Sequence, residues 1–226
     1  MAESQSADMN DSKPSSPAGR KVREPRWPAF IAMLAGGMVY LALPDRISLG
    51  PSWLLLVVIL ILLIPINVTY YTGRYNVTRV LTFGANAAIT IGLVGSLALM
   101  IQGMPRHIDS PGALLRAATA LWITNILVFA LWYWKLDAGG PMGRDKQHRY
   151  SEGAFLFPQM ILREELGTSW SPNFLDYLFL AFNTSTAFSP TDTAVLSRWA
   201  KFVMMLQSLI SLTIVILLAA RAVNIF

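Results

Sequence analysis

An all-α, polytopic membrane protein is the fold class this chain predicts, on three observations. Of its 226 residues, 54% are hydrophobic and only 14% charged, well below the roughly one quarter charged in an average soluble domain. The charges are also segregated, since between Trp27 and Tyr71 only Asp45 and Arg46 carry one. Finally, the run WLLLVVILILLIPI from Trp53 is apolar on every face of a helix, which suits a lipid-facing span better than one side of a soluble core.

Residues 1–26 are rich in Ser, Pro, Asp and Lys and bury too little to order themselves. They form the first of four regions, a disordered cytoplasmic tail ending in the basic cluster Arg20, Lys21, Arg23 and Arg26. The second region, 27–135, holds four transmembrane helices. Pro28, Pro51, Pro111, Pro172 and Pro190 each precede an apolar or amphipathic run, where the missing proline N–H costs nothing at the first helical position. Ser110, Ser171 and Ser189 stand before three of them as helix caps. The expected spans are 28–44, 51–71, 80–104, 112–135 and 202–221, each near the ~20 residues that a ~30 Å hydrocarbon layer requires. Trp27, Tyr40, Trp53, Tyr70, Tyr71, Trp132 and Trp134 lie near their ends, as interfacial aromatics do.

Within the third span Gly84, Ala88, Gly92 and Ser96 recur every four residues. Such a small-residue stripe lets helix backbones approach closely, first of all within the chain. Asn86, Asn125 and Gln207 are amides inside spans and are expected to hydrogen-bond between helices. The third region, 136–171, is a long loop with Arg144, Lys146, Arg149 and Arg163, and the positive-inside bias puts it in the cytoplasm beside the N-terminus. Within it FLFPQMIL (155–162) reads as an apolar elbow on the membrane surface. The fourth region, 172–226, is a helix pair. Its first member, 172–188, reaches only ~25 Å and is either a sixth crossing or a re-entrant half-helix. This makes five to six membrane-embedded helices. Six, with the C-terminus inside, requires no special shelter for free backbone groups and is the expected arrangement. Arg198 and Lys201 against Arg221 favour the dip instead.

Several function classes drop out. With no cysteine, disulfides, iron–sulfur clusters and thiolate zinc sites are excluded. The net charge of +5 sits in the tail and loops, where membrane topology accounts for it without nucleic acid. Asp137, Asp145, His148 and Glu152 match no metal framework and read as a solvated loop. Neither His107 nor His148 has a nucleophile partner, and no phosphate loop or Gly-x-Ser-x-Gly elbow occurs. Neither an enzyme, a cofactor nor a metal is expected.

The informative stretch is FNTSTAFSPTD, 182–192. Thr184, Ser185, Thr186, Ser189, Thr191 and Asp192 are candidate pore-lining residues. The structural alternative is a helix start, with Ser189 as cap, Pro190 first and Asp192 at the third position. A short helix, a hydroxyl-rich turn and a long apolar helix, in that order, resemble the pore domain of tetrameric potassium channels. Thr184 and Asp192 match the ends of that family's filter motif. Ser189, Pro190 and Thr191 replace Gly-Tyr-Gly, so the standard carbonyl ladder, which needs positive φ, does not form. FALWYWKLDAGGP, FLFPQM and DYLFLAFNTSTAFSPTD…SRWAKFVMMLQS also resemble a family of bacterial integral membrane proteins of unassigned function, some labelled ion-channel-like. These resemblances imply a multi-pass protein of the bacterial cytoplasmic membrane. They further imply a homo-oligomer, most simply a tetramer, passing small cations. The alternative is a non-conducting scaffold or accessory subunit, with loop 136–171 docking a cytoplasmic partner.

Overall fold

The computed structural model describes residues 25–103, 111–146, 153–166, 170–187 and 192–223. The elements are α1 (Trp27–Tyr40), α2 (Leu54–Tyr71), α3 (Tyr75–Gly103), α4 (Pro111–Leu136), α5 (Gly140–Lys146), β1 (Phe155–Leu156), α6 (Pro158–Leu166), α7 (Phe174–Thr186), β2 (Ala194–Val195) and α8 (Arg198–Val223). Four stretches, Leu54–Tyr71, Tyr75–Gly103, Gly112–Gly139 and Arg198–Ala220, are long and apolar enough to cross a membrane. The chain is thus an α-helical membrane protein. α1, with 14 residues, falls short of the expected 28–44 because the chain turns at Leu41. α2 continues through Pro65, despite the hydrogen bond a proline removes. α3 starts five residues before the expected 80, directly after Gly73, which takes φ +74°.

α1 to α4 run up and down. Arg26 stacks over the Tyr70 ring, 4.6 Å from its centroid, and Lys135 Nζ donates to the Thr82 carbonyl. One end, here the near end, therefore collects the start of α1, the end of α2, the start of α3 and the end of α4. Toward the far end, the Tyr40 hydroxyl lies 2.7 Å from Ser96 Oγ and accepts from Leu49 N at 2.9 Å. The small-residue stripe works only in part. Gly92 lies under Leu55 and Tyr40 and Ser96 is fully buried, whereas Ala88 is half-buried and Gly84 is exposed with no atom near its missing side chain. Ala88, Gly92 and Ser96 all pack within the chain.

α4 is the hub, with 67% of its span buried inside the protein. It ends in a left-handed turn, Ala138 at φ 49°, Gly139 at +75° and Gly140 at +77°. A side chain on Gly140 would sit 2.8 Å from the Lys135 carbonyl oxygen, so this tight reversal needs glycine. Arg144 from α5 folds back and donates to the carbonyls of Trp134 and Asp137, both at 3.0 Å. Asp137, expected in a solvated loop, is fully buried. Its carboxylate accepts from Ala154 N and, at 2.6 Å, from the Tyr177 hydroxyl. The Asp145 side chain, His148 and Glu152 lie outside the described residues, as do residues 1–24 and His107.

The apolar elbow at 155–162 is only partly on the surface, where Ile161 and Leu162 are exposed. Phe155 and Phe157 are buried in an aromatic cluster with Tyr133, Tyr177, Trp170 and Trp199. The cluster closes the near end of the α4–α7–α8 unit. Across it β1 pairs antiparallel with β2, Phe155 facing Val195 and Leu156 facing Ala194.

α7 begins at this same end. Its cap is Asn173, not Ser171: Asn173 Oδ1 accepts from Leu175 N and Asp176 Oδ2 accepts from Asn173 N, both at 2.8 Å, a reciprocal capping box. Asp176 therefore has a structural role at the helix start. Thirteen residues give α7 only ~20 Å, and it stops beside Asn125, midway along α4. From there the chain returns to β2 at the near end, and α8 starts from that end too, with Trp199 6.1 Å from Phe155. α7 and α8 thus run in the same direction. The helix expected to start at Ser189-Pro190 does not continue into the residues described after it. Ser189 and Thr191 lie outside the described residues, but Asp192 is in a turn, β2 follows, and α8 begins only at Arg198. The extended pairing of Ala194 and Val195 overrides the capping pattern of SPTD.

Candidate functional site

A helix that ends inside a bundle leaves its last carbonyls without intrahelical partners, and in a bilayer water does not supply them. α8 supplies them here. Ser211 Oγ donates to the Ser185 carbonyl at 2.7 Å and Ser208 Oγ to the Thr184 carbonyl at 3.4 Å. Gln207 Nε2 reaches the Ala181 carbonyl and Ser185 Oγ, both at 2.7 Å. Positions 207, 208 and 211 are one polar patch on a helix face, set against 181, 184 and 185 on the facing helix, as the 3.6-residue turn allows.

α4 completes the cluster. The Tyr133 hydroxyl donates to Gln207 Oε1. Asn125 Nδ2 donates to Ser185 Oγ and to the Gln207 carbonyl, both at 3.3 Å. Trp122 Nε1 donates to Ser211 Oγ at 3.2 Å. Asn125, Tyr133, Ser185, Gln207 and Ser211 are all buried to within about 1%. Asn125 Oδ1 is the exception to full pairing, a buried acceptor with no hydrogen-bond partner among the described residues. Asn86 likewise spans two helices, donating to the Val128 carbonyl at 3.5 Å.

The sequence-derived pore candidates therefore separate. Ser185 sits in the cluster, and Thr184 is buried with its hydroxyl bonded back to the Leu180 carbonyl at 2.8 Å. Both side chains face the chain's own helices. Thr186 is exposed, bonded back to Phe182 O at 3.0 Å, and Asp192 is exposed near β2. Ser189 and Thr191 lie between them, outside the described residues. Ser208, Ser211, Tyr133 and Trp122 belong to the cluster although sequence reasoning passed over them. The signal for the two serines was present, because they share a face with Gln207 on an otherwise apolar helix. Among the described residues no three His, Cys, Asp or Glu side chains group as metal ligands would.

Chemically, the arrangement is a helix C-terminus held midway along α4. The aligned peptide dipoles place about −0.5 elementary charge there. No protein-family model, no curated protein and no solved structure matches this chain, so the geometry must carry the functional reading.

Proposed function

We propose that α7 is a re-entrant helix, that the segment 187–193 returns to the side from which α7 entered, and that copies of the chain assemble around this unit into a path for small cations. The supporting observation is the common starting end of α7 and α8, with β2 lying between them at that same end. Non-helical backbone at membrane depth is tolerated only when protein shelters it or when it lines water. In one chain α7 still exposes Leu175 at 67%, Phe179 at 62% and Phe182 at 45%. Neighbouring copies, four being the simplest closed arrangement of the resembled pores, would cover that stripe and enclose the return segment. Thr186, Ser189, Thr191 and Asp192 would then border the path, with Thr184 and Ser185 holding α7 in place. The negative end of α7 favours cations over anions at its tip.

Arg26, Arg74, Arg79, Lys135, Arg144, Arg198 and Lys201 belong to the near end, Arg46, Arg116 and Arg221 to the far half. The near end is therefore the cytoplasmic side of a cell membrane. With α7 not crossing, the C-terminus of α8 lies outside, opposite to the expectation from six crossings. Purified protein in liposomes tests the proposal. Cation flux above that of empty liposomes, lowered by Thr186→Val, is the expected result. Flux no greater than in empty liposomes under sodium, potassium and proton gradients would overturn it.

A non-conducting scaffold or accessory subunit is the second reading, and one observation favours it. Every polar side chain of the α8 patch points inward, while its exposed face carries Phe202, Met205, Leu209, Leu212 and Ile216. Oligomeric state in mild detergent separates the two, because a strict monomer cannot enclose a central path.

A further inference from the structure

A second site lies at the near end, away from α7. Between the starts of α1 and α3 and the ends of α2 and α4 is a cavity of about 270 Å³, near the lower end of the ~300–1,000 Å³ usual for small-molecule sites. Its polar lining includes Arg79, Lys135 and Asn76, its apolar lining Phe30 and Trp134, and among the described residues it has no Asp or Glu. Lys135 is the unusual member. Only 6% exposed, its ammonium has three donors, and the hydrogen bond described for it is the one to the Thr82 carbonyl. A buried ammonium sharing a cavity with the Arg79 guanidinium, with no carboxylate among the described residues of the wall, is unfavourable until an anion joins it. Arg79 is exposed at the rim, with its guanidinium over the Phe83 ring at 5.8 Å from the centroid, free to swing toward a ligand.

We infer that this cavity binds a phosphate-bearing anion, most simply the headgroup of an anionic phospholipid of the leaflet at the near end. Its place fits that source. The outward faces of α2 and α3 beside it are apolar, with Ile64, Val68 and Val80 exposed, so acyl chains can lie against them while the phosphate reaches Lys135. Arg79 supplies the forked donor pair that suits phosphate oxygens, and Lys135 the buried point charge. Binding would tie α1, α3 and α4 together at one end. The inference does not require α7 and α8 to conduct.

The test is lipid retention and thermal stabilisation of the full chain in detergent. Phosphatidylglycerol, phosphatidylcholine and inorganic phosphate are added separately at matched ionic strength. Phosphatidylglycerol is expected to bind and raise the unfolding temperature, phosphatidylcholine to do neither. Lys135→Gln and Arg79→Gln should each weaken binding about five- to tenfold, and Arg46→Gln, at the far end, should leave it unchanged. Arg79 is exposed, so its variant keeps the test open even where Lys135→Gln fails to fold. If inorganic phosphate alone stabilises the protein, with the same dependence on Lys135 and Arg79, the site stands and its ligand is a soluble phosphate. Equal retention of the two lipids with no effect of phosphate, or unchanged binding in both variants, would overturn the inference.

Discussion

α2 and α7 are both short helices of this membrane protein, yet they are stabilised by opposite means. α2 has 11% of its span buried, and its outer face is apolar apart from Asn67 and Tyr71 near its end. It is held against α1 and α3 mainly by close approach, with Gly37 admitting Ile59 and Leu56 and Gly92 admitting Leu55, and near its end Thr78 Oγ1 donates to Thr69 Oγ1 at 2.9 Å. α7 carries a capping box at one end and the Gln207, Ser208 and Ser211 donors at the other. A helix that crosses from water to water leaves its terminal groups to solvent and needs only shape. A helix that stops at mid-depth must have its final carbonyls satisfied by protein. The polar cluster is thus the C-terminal cap of α7, supplied by another helix.

Four substitutions sharpen this contrast, each read as a shift in the unfolding midpoint of purified protein in mixed micelles. Gln207→Leu should have the largest effect, a loss of about 2–3 kcal/mol, since it removes several bonds at once and strands buried carbonyls. Gly37→Val should cost about 1–3 kcal/mol through overpacking, because a side chain there would meet Ile59 at 2.8 Å and Leu56 at 3.1 Å. Tyr40→Phe, which deletes the bond to Ser96 and the one from Leu49 N, should cost about 1 kcal/mol. Gly84→Ala should be neutral or stabilise by up to about 1 kcal/mol, since the site is open and helical. If Gln207→Leu and Gly84→Ala were alike, the polar cluster would not be the cap described.

The spans were legible because twenty apolar residues leave few alternatives, and α2 (54–71) and α4 (111–136) begin and end within three residues of expectation. The amides Asn125 and Gln207 were legible as interhelical bonds. What escaped was what contact between distant segments decides. Asp137 looks solvated until Ala154 and Tyr177, 17 and 40 residues away, close over it. Ser189-Pro190-Thr191-Asp192 has the local pattern of a helix start, yet Val195 pairs with Phe155 and the strand prevails. Crossing and dipping cannot be told apart by the length of 172–188 alone. The observation that bears on the choice is the pairing of β1 with β2, which joins segments 40 residues apart.

The sidedness of α7 and α8 is the most direct test. The chain has no cysteine, so single thiols at Leu175, Asp192 and Ala219, all exposed, can be labelled in sealed, oriented vesicles with an impermeant reagent. Thiols at 175 and 192 should react from one face and the thiol at 219 only from the other. Labelling of 175 and 192 from opposite faces would mean that α7 crosses the bilayer, and would contradict the account.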